Sequence, residues 1–276
     1  MFATTLLLIH GAWLSAASWT PWCERYEARG YDCVAPAWPH LDGDPAALRA
    51  HPPPALDVES LGDVVDYYAG IIRKMPEPPI LIGHSFGGLV VLKLLDEGLG
   101  RAGVALEPAP PKGVPVTGSG RKASWPVIST WKGGQKSHPI DFERWVWAFG
   151  SKVPVDERHA VYDRYVVPAP GRPFFEILWA GFTRHTRVDF QQAARAPLLL
   201  VAGDEDRVVP KKTVQHIWKH YEGGQATTVL QEFDHTHGIV IEPGWQDVAD
   251  FVISWVEIQT GVHPTPEVPP PSTPPE

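Results

Sequence analysis

The chain has 276 residues and a formal net charge of −8 at pH 7, enough length for one large core and no basic stripe of the kind that nucleic-acid binding needs. Its two cysteines, Cys23 and Cys33, lack the spacing of a zinc or redox pair, so free thiols in a reducing compartment are expected. The apolar run Leu6 to Ile9 is too short for a signal-peptide core and no stretch approaches membrane-spanning length, so the expectation is a soluble, cytoplasmic protein with no membrane partner.

Thr5 to Ile9 is a short continuous apolar run, the pattern of a strand buried on both faces. Helical character follows over Ser18 to Arg29, then a strand over Tyr31 to Ala37. A loop rich in Pro and Asp, Trp38 to Pro54, leads to a helix over Val58 to Lys74, closed by Pro76. Pro79 to Ile82 reads as a strand, Phe86 to Glu97 as a helix and Gly103 to Leu106 as a strand. Much later come a strand over Pro197 to Ala202, a helix over Lys211 to Tyr221, a strand over Thr227 to Phe233 and a last helix from Gly244 to Ile258. Alternation of this kind makes an α/β fold: a mostly parallel sheet flanked by helices, with sites at the C-terminal ends of the strands.

Pro111 to Arg187 breaks the alternation. Its periodic parts look helical (Ile140 to Phe149, Asp156 to Tyr165, Phe174 to Phe182), and it carries Trp125, Trp131, Trp145, Trp147 and Trp179. It reads as a helical cap, residues 111–187, inserted into a core made of 1–110 and 188–261. The tryptophans are either pocket wall, with Trp145, Trp147 and Trp179 as candidates, or the cap's own small core. Lys112, Arg121, Lys122, Lys132 and Lys136 stand in a stretch, Pro111 to Ile140, that holds no acid. That stretch is either a draw for an anionic substrate group or a solvated, mobile loop. The tail, 262–276, is rich in proline and is expected to be extended or disordered.

Residues 80 to 88 read Ile-Leu-Ile-Gly-His-Ser-Phe-Gly-Gly, a buried strand running into Gly83-His84-Ser85-Phe86-Gly87 and then a helix. Two glycines without Cβ allow a tight reversal that lifts the Ser85 hydroxyl above the sheet, at a helix N-terminus that favours negative charge. A serine nucleophile needs a base, a group that orients the base and donors for the oxyanion. Downstream, the strand from Pro197 opens into Gly203-Asp204-Glu205-Asp206-Arg207-Val208-Val209-Pro210, and the strand from Thr227 into Asp234-His235-Thr236-His237. The order is Ser, Asp, His.

With His10-Gly11-Ala12-Trp13 at the end of the first strand, these motifs resemble the α/β-hydrolase superfamily over all of the chain except the cap and tail. The resemblance implies a serine esterase- or lipase-like member with a cap. In Gly-x-x-Asp-x-x-Val-Pro, Asp206 fits the acid and Asp204 is two residues early. Glu107, just past Leu106, is the alternative acid, since some relatives place it there. The base is His237, which stands five residues before Glu242 of Glu242-Pro243-Gly244-Trp245, and His235 is then an accessory or surface histidine. The oxyanion donors become the N–H groups of Ala12 and Phe86. Trp13 is a pocket wall or an anchor of its loop. His84 is a packing or hydrogen-bonding residue beside the pocket.

Serine at the elbow excludes carboxylate-nucleophile chemistry and leaves acyl transfer. The expectation is hydrolysis of a carboxylic ester through an acyl-enzyme, with a small-molecule substrate carrying an apolar or aromatic group and a base that titrates near neutrality. Carbon–carbon bond hydrolysis, cofactor-free lyase chemistry and non-catalytic ligand binding stay open as alternatives. No metal-ligand spacing, G-x-G-x-x-G or Walker motif is present, so no metal or cofactor is expected. Oligomeric state is left open.

Overall fold

The structure, a computed structural model, describes residues 4–264. In chain order the first elements are β1 (Thr5–Ile9), α1 (Thr20–Glu27), β2 (Asp32–Val34), α2 (Pro45–Ala50), α3 (Leu61–Ile72), β3 (Ile80–His84), α4 (Phe86–Asp96) and β4 (Ala102–Leu106). Then follow α5 (Gly118–Ile128), β5 (Ser137–His138), α6 (Phe142–Ala148), α7 (Arg158–Tyr165), β6 (Ala169–Pro170) and α8 (Arg172–Leu178). The chain closes with β7 (Leu198–Gly203), α9 (Lys211–Tyr221), β8 (Thr228–Phe233) and α10 (Trp245–Thr260). The tail expected to be extended falls, for residues 265–276, outside the described residues.

Six strands form one parallel sheet in the order β2-β1-β3-β4-β7-β8. The four central strands are the continuous apolar runs of the sequence. Leu6 to Ile9, Ile80 to Ile82, Val104 to Leu106 and Leu198 to Ala202 have no exposed surface, as strands covered by helices on both faces require. Each fully buried leucine or isoleucine is worth about 1.5–3 kcal/mol of transfer free energy. The edge strands β2 and β8 are only partly buried. β2 pairs with β1 over just Asp32, Cys33 and Val34, shorter than the expected Tyr31 to Ala37, because Pro36 brings no N–H to a ladder. After β1 the chain steps outward to β2, then returns to β3 and continues the other way. The order therefore reverses between β1 and β3, where a crevice opens at the C-terminal strand ends.

Between β4 and β7 the chain leaves the sheet for six 3₁₀ or α segments among the described residues and the antiparallel pair β5-β6. α5 occupies part of the stretch whose basic residues suggested a mobile loop. Thr117 caps it, its side chain accepting from Gly120 N–H at 3.2 Å. Gly118, Gly120 and Pro126 had hidden the helix, since all three are poor helix formers. α2 was likewise read as loop, although Asp44 caps it and Pro45 stands at its first position.

The expected free thiols are corrected by the structure. Cys23 on α1 and Cys33 on β2 are bonded to each other, with Cα atoms 5.3 Å apart. α1 turns back through Gly30 (φ 89°) directly into β2, so ten residues of separation return the chain to itself. No helix among the described residues is long and apolar enough to cross a membrane.

Candidate active site

β3 passes into α4 through a single residue. Ser85 sits at φ 56°, ψ −120°, a backbone state that costs about 1–3 kcal/mol and persists only where the surroundings impose it. The flanking glycines are what make the turn possible: a Cβ on Gly83 would lie 2.2 Å from the Gly87 carbonyl oxygen, and one on Gly87 2.2 Å from that of Ile9. Ser85 N–H donates to Leu106 O at 2.9 Å, which ties the turn to β4.

Three loops meet over this turn. From the end of β8, His237 presents Nε2 to the Ser85 hydroxyl at 2.9 Å. Its Nδ1–H donates to Asp206 Oδ2, from the end of β7, at 2.6 Å. The second Asp206 oxygen accepts from Val208 N–H at 2.7 Å and Val209 N–H at 2.8 Å, so the carboxylate is fixed by backbone before it meets the imidazole. Burial alone would lower the His237 pKa, but the charge and hydrogen bond of Asp206, with Glu107 adding to them, outweigh that and hold it above the ordinary imidazole value.

The loop after β1 closes the fourth side. His10 Nε2 accepts from Trp38 N–H at 2.9 Å, and the Trp38 indole N–H donates back to His10 O at 2.9 Å. Burial drops the His10 pKa to about 4, so the ring stays neutral and Nδ1–H is left to donate to Gly11 O. Gly11 packs against Ser85: a Cβ there would come within 2.7 Å of Ser85 Cβ. The N–H groups of Ala12 and of Phe86, first residue of α4, have no protein acceptor among the described residues. Both residues line the cavity beside Ser85.

Two further buried groups stand behind the imidazole. Glu107, at φ 48°, brings Oε2 to 3.3 Å from His237 Nδ1 and 3.4 Å from His84 Nε2. Neither Glu107 oxygen has a hydrogen-bond partner. Burial first, and then the charge of Asp206, push its carboxyl well above the usual range. Burial likewise keeps His84 neutral; its ring packs 4.7 Å from that of His237.

A family model described as "Alpha/beta hydrolase family" matches residues 6–251. The chain belongs to the alpha/beta hydrolase family. No curated protein matches the chain in sequence. Among solved structures it resembles a pyrethroid hydrolase from Sphingobium faniae JZ-2, with 16% identity, TM-score 0.63, and coverage of 95% of this chain and 100% of that one. It also resembles a methylesterase from Arabidopsis (13% identity, TM-score 0.68, 93% and 100% covered). A third is the monoacylglycerol lipase of Paleococcus ferrophilus (19% identity, TM-score 0.64, 94% and 97% covered). At such identities the likeness is one of fold.

A narrow cavity over Ser85 offers about 50 Å³ to the centres of water molecules. Its wall is apolar: Trp13, Phe86, Ala109, Val116, Phe149, Phe174, Ile177, Leu178, Val208 and Val209, with Ser85 and His237 at its floor. Trp13 is both wall and anchor, its indole N–H donating to His138 O at 3.0 Å. The other expected wall residues lie elsewhere. Trp145 is fully buried between Phe142 and Tyr162. Trp147 lies under Lys122, whose Nζ is 4.9 Å from its ring centre. Trp179 is 60% exposed and borders an open groove on the far side of α8. His84 lies beneath the site and not in the cavity wall. In each case a tryptophan-rich segment had more than one face to cover, and sequence gave no means to tell them apart. Phe149 and Phe174 are the aromatics it missed; both sit at the periodic positions read only as helix.

His235 is turned the other way. It shares Glu242 with the Thr236 N–H, each at 2.7 Å, and the Thr236 hydroxyl bonds the same carboxylate. Glu242, buried and just before α10, thereby folds the histidine loop onto itself.

Proposed function

We propose that this hydrolase is a serine esterase acting on small-molecule carboxylic esters. The observation that carries the reading is the line Ser85–His237–Asp206, with contacts of 2.9 and 2.6 Å, beneath an apolar cavity edged by two N–H groups unpaired among the described residues. Ser85 Oγ attacks the ester carbonyl as His237 Nε2 takes its proton. The Ala12 and Phe86 N–H groups hold the oxyanion, and Asp206 holds the imidazolium that forms. Collapse returns the proton to the leaving alcohol and leaves Ser85 acylated; His237 then activates water and the acid departs. No step calls for a metal or cofactor. The names of the structural neighbours, a pyrethroid hydrolase, a methylesterase and a monoacylglycerol lipase, support an ester as the substrate class.

Residues 111–187 serve in this reading as a cap. α5 and α8 supply Gly120, Ser124, Phe174, Ile177 and Leu178 to the cavity wall, so they exclude water and select the substrate without entering the bond chemistry. The cavity favours a short or slender apolar acyl group. The Cys23–Cys33 bond supports an oxidising environment rather than the expected cytoplasm. The test is Ser85→Ala on activated esters: turnover should fall by about 10⁶-fold, as in triad knockouts, and a fluorophosphonate probe should label Ser85 in wild type alone. Labelling that survives in the alanine variant would refute the nucleophile.

A further inference from the structure

Glu107 is the costliest side chain near the site. It follows β4 directly, at φ 48°, in the left-handed region that a non-glycine residue adopts only at a cost. Its carboxyl is wholly buried and neither oxygen is hydrogen-bonded, a cost that native folds rarely leave standing without a use. Its N–H donates to Val201 O at 2.8 Å, so the backbone is pinned between β4 and β7 and cannot turn the side chain away. β7 makes room for it. A Cβ on Gly203 would lie 2.2 Å from Glu107 Oε1 and 2.6 Å from His235 O. Gly203 is a glycine here for space alone, since its backbone is ordinary strand.

Everything that faces the carboxyl belongs to the same proton. His237 Nδ1 lies 3.3 Å away and His84 Nε2 3.4 Å; Asp206 and Glu242 are the neighbouring negative charges. Nδ1 thus has two carboxyls within reach, Asp206 at 2.6 Å from β7 and Glu107 from β4. Two adjacent buried carboxylates cannot both ionise beside one imidazole. The nearer, backbone-braced one carries the charge.

We propose that Glu107 is a reserve positioning residue for His237: it stands by as the neutral acid while Asp206 holds Nδ1–H, and becomes the carboxylate that holds it when Asp206 is neutralised. The inference rests on the serine-esterase reading for its functional meaning. The proton count itself does not. Burial first, and then the charge of Asp206, keep Glu107 neutral; with that charge gone the imidazole 3.3 Å away has no other carboxyl within reach, and a Glu107 carboxylate can form against it. Neutral His84, with no other partner, fills the space between without supplying a charge.

The experiment titrates His237 by NMR on protein carrying isotope-labelled histidine, in wild type, Glu107→Gln, Asp206→Asn and the double variant, with ester kinetics alongside. Glu107→Gln is isosteric with the neutral acid. It should cost less than about threefold in kcat at its optimum and leave the His237 pKa close to the wild-type value, because the amide replaces a group that is already neutral while Asp206 carries the charge. Asp206→Asn should keep His237 chargeable near neutrality and lose about 10²-fold in kcat, not the roughly 10⁴-fold of a triad whose aspartate acts alone. The double variant should drop the pKa below the ordinary imidazole value, as burial demands of an imidazole with no carboxylate, and lose the remaining rate. If the single and double asparagine variants titrate alike, or Glu107→Gln lowers the His237 pKa as far as Asp206→Asn does, the proposal is overturned. Absence of ester turnover in wild type would instead overturn the esterase reading, and the titrations would still count the carboxyls.

Discussion

Two histidines leave β8 two residues apart, and their neighbours separate them. His235 is tied through Nδ1 to Glu242, whereas His237 spans Ser85 and Asp206. His237→Ala should lose nearly all turnover, while His235→Ala should keep both the rate and its pH dependence. Only neutral imidazole can accept the serine proton, so kcat/KM falls as pH drops through the free-enzyme pKa. Sequence placed that limb near neutrality. The Asp206 contact raises the pKa, so the limb should lie above about 6.5, and a profile flat down to that value would contradict the geometry. Sequence chooses His237 by its distance to Glu242 in the chain, and that side chain lies between Ser85 and Asp206. What Glu242 does was not, because its carboxylate reaches Thr236 and His235 only once the loop has folded back on itself.

Among the elements, the buried strands read almost residue for residue. β1 and α9 fall on the expected bounds, and β3, β4, β7 and β8 within two residues. Continuous apolar runs of five or six residues leave little choice. The helices that sequence missed, α2 and α5, contain proline or glycine, so packing and a single cap carry them where propensity does not. Tryptophan misled for a related reason. Trp145 looked like a pocket wall, yet its ring is enclosed by Phe142 and Tyr162, and a Cβ on Gly150 would lie 2.7 Å from it. Trp145→Ala should therefore act on stability, costing about 3–5 kcal/mol as large-to-small core changes do. The measurement is chemical denaturation beside kinetics on several esters. Rates should fall uniformly with the folded fraction, and a selective change in substrate ranking would return Trp145 to the pocket.

At the scale of the molecule, strand order places the chemistry and the β4–β7 excursion shapes it. The reversal between β1 and β3 brings the His10–Trp13 loop against Ser85, and β4, β7 and β8 deliver Glu107, Asp206 and His237 to the same end of the sheet. The excursion then roofs these ends, and α8 is its dividing wall. Phe174, Ile177 and Leu178 face the cavity, while Phe175, Glu176 and Trp179 border the outer groove. Helical spacing puts these two sets on opposite faces. None of this could be read from composition, since the cavity exists only between segments far apart in the chain. Its small free volume, about 50 Å³, makes acyl length the quantity to vary. Phe174 packs against Trp13 at 4.8 Å and Phe86 at 4.9 Å between ring centres, and so limits depth directly over Ser85. Phe174→Ala should raise kcat/KM for hexanoate and octanoate esters relative to acetate by about 1–3 kcal/mol, the usual worth of a fitted methylene, with Ser85 still labelled by the covalent probe. The kinetics on a chain-length series of activated esters decide it. An unchanged ratio between long and short acyl groups, with labelling intact, would mean that the acyl chain leaves the site by another route than past α8.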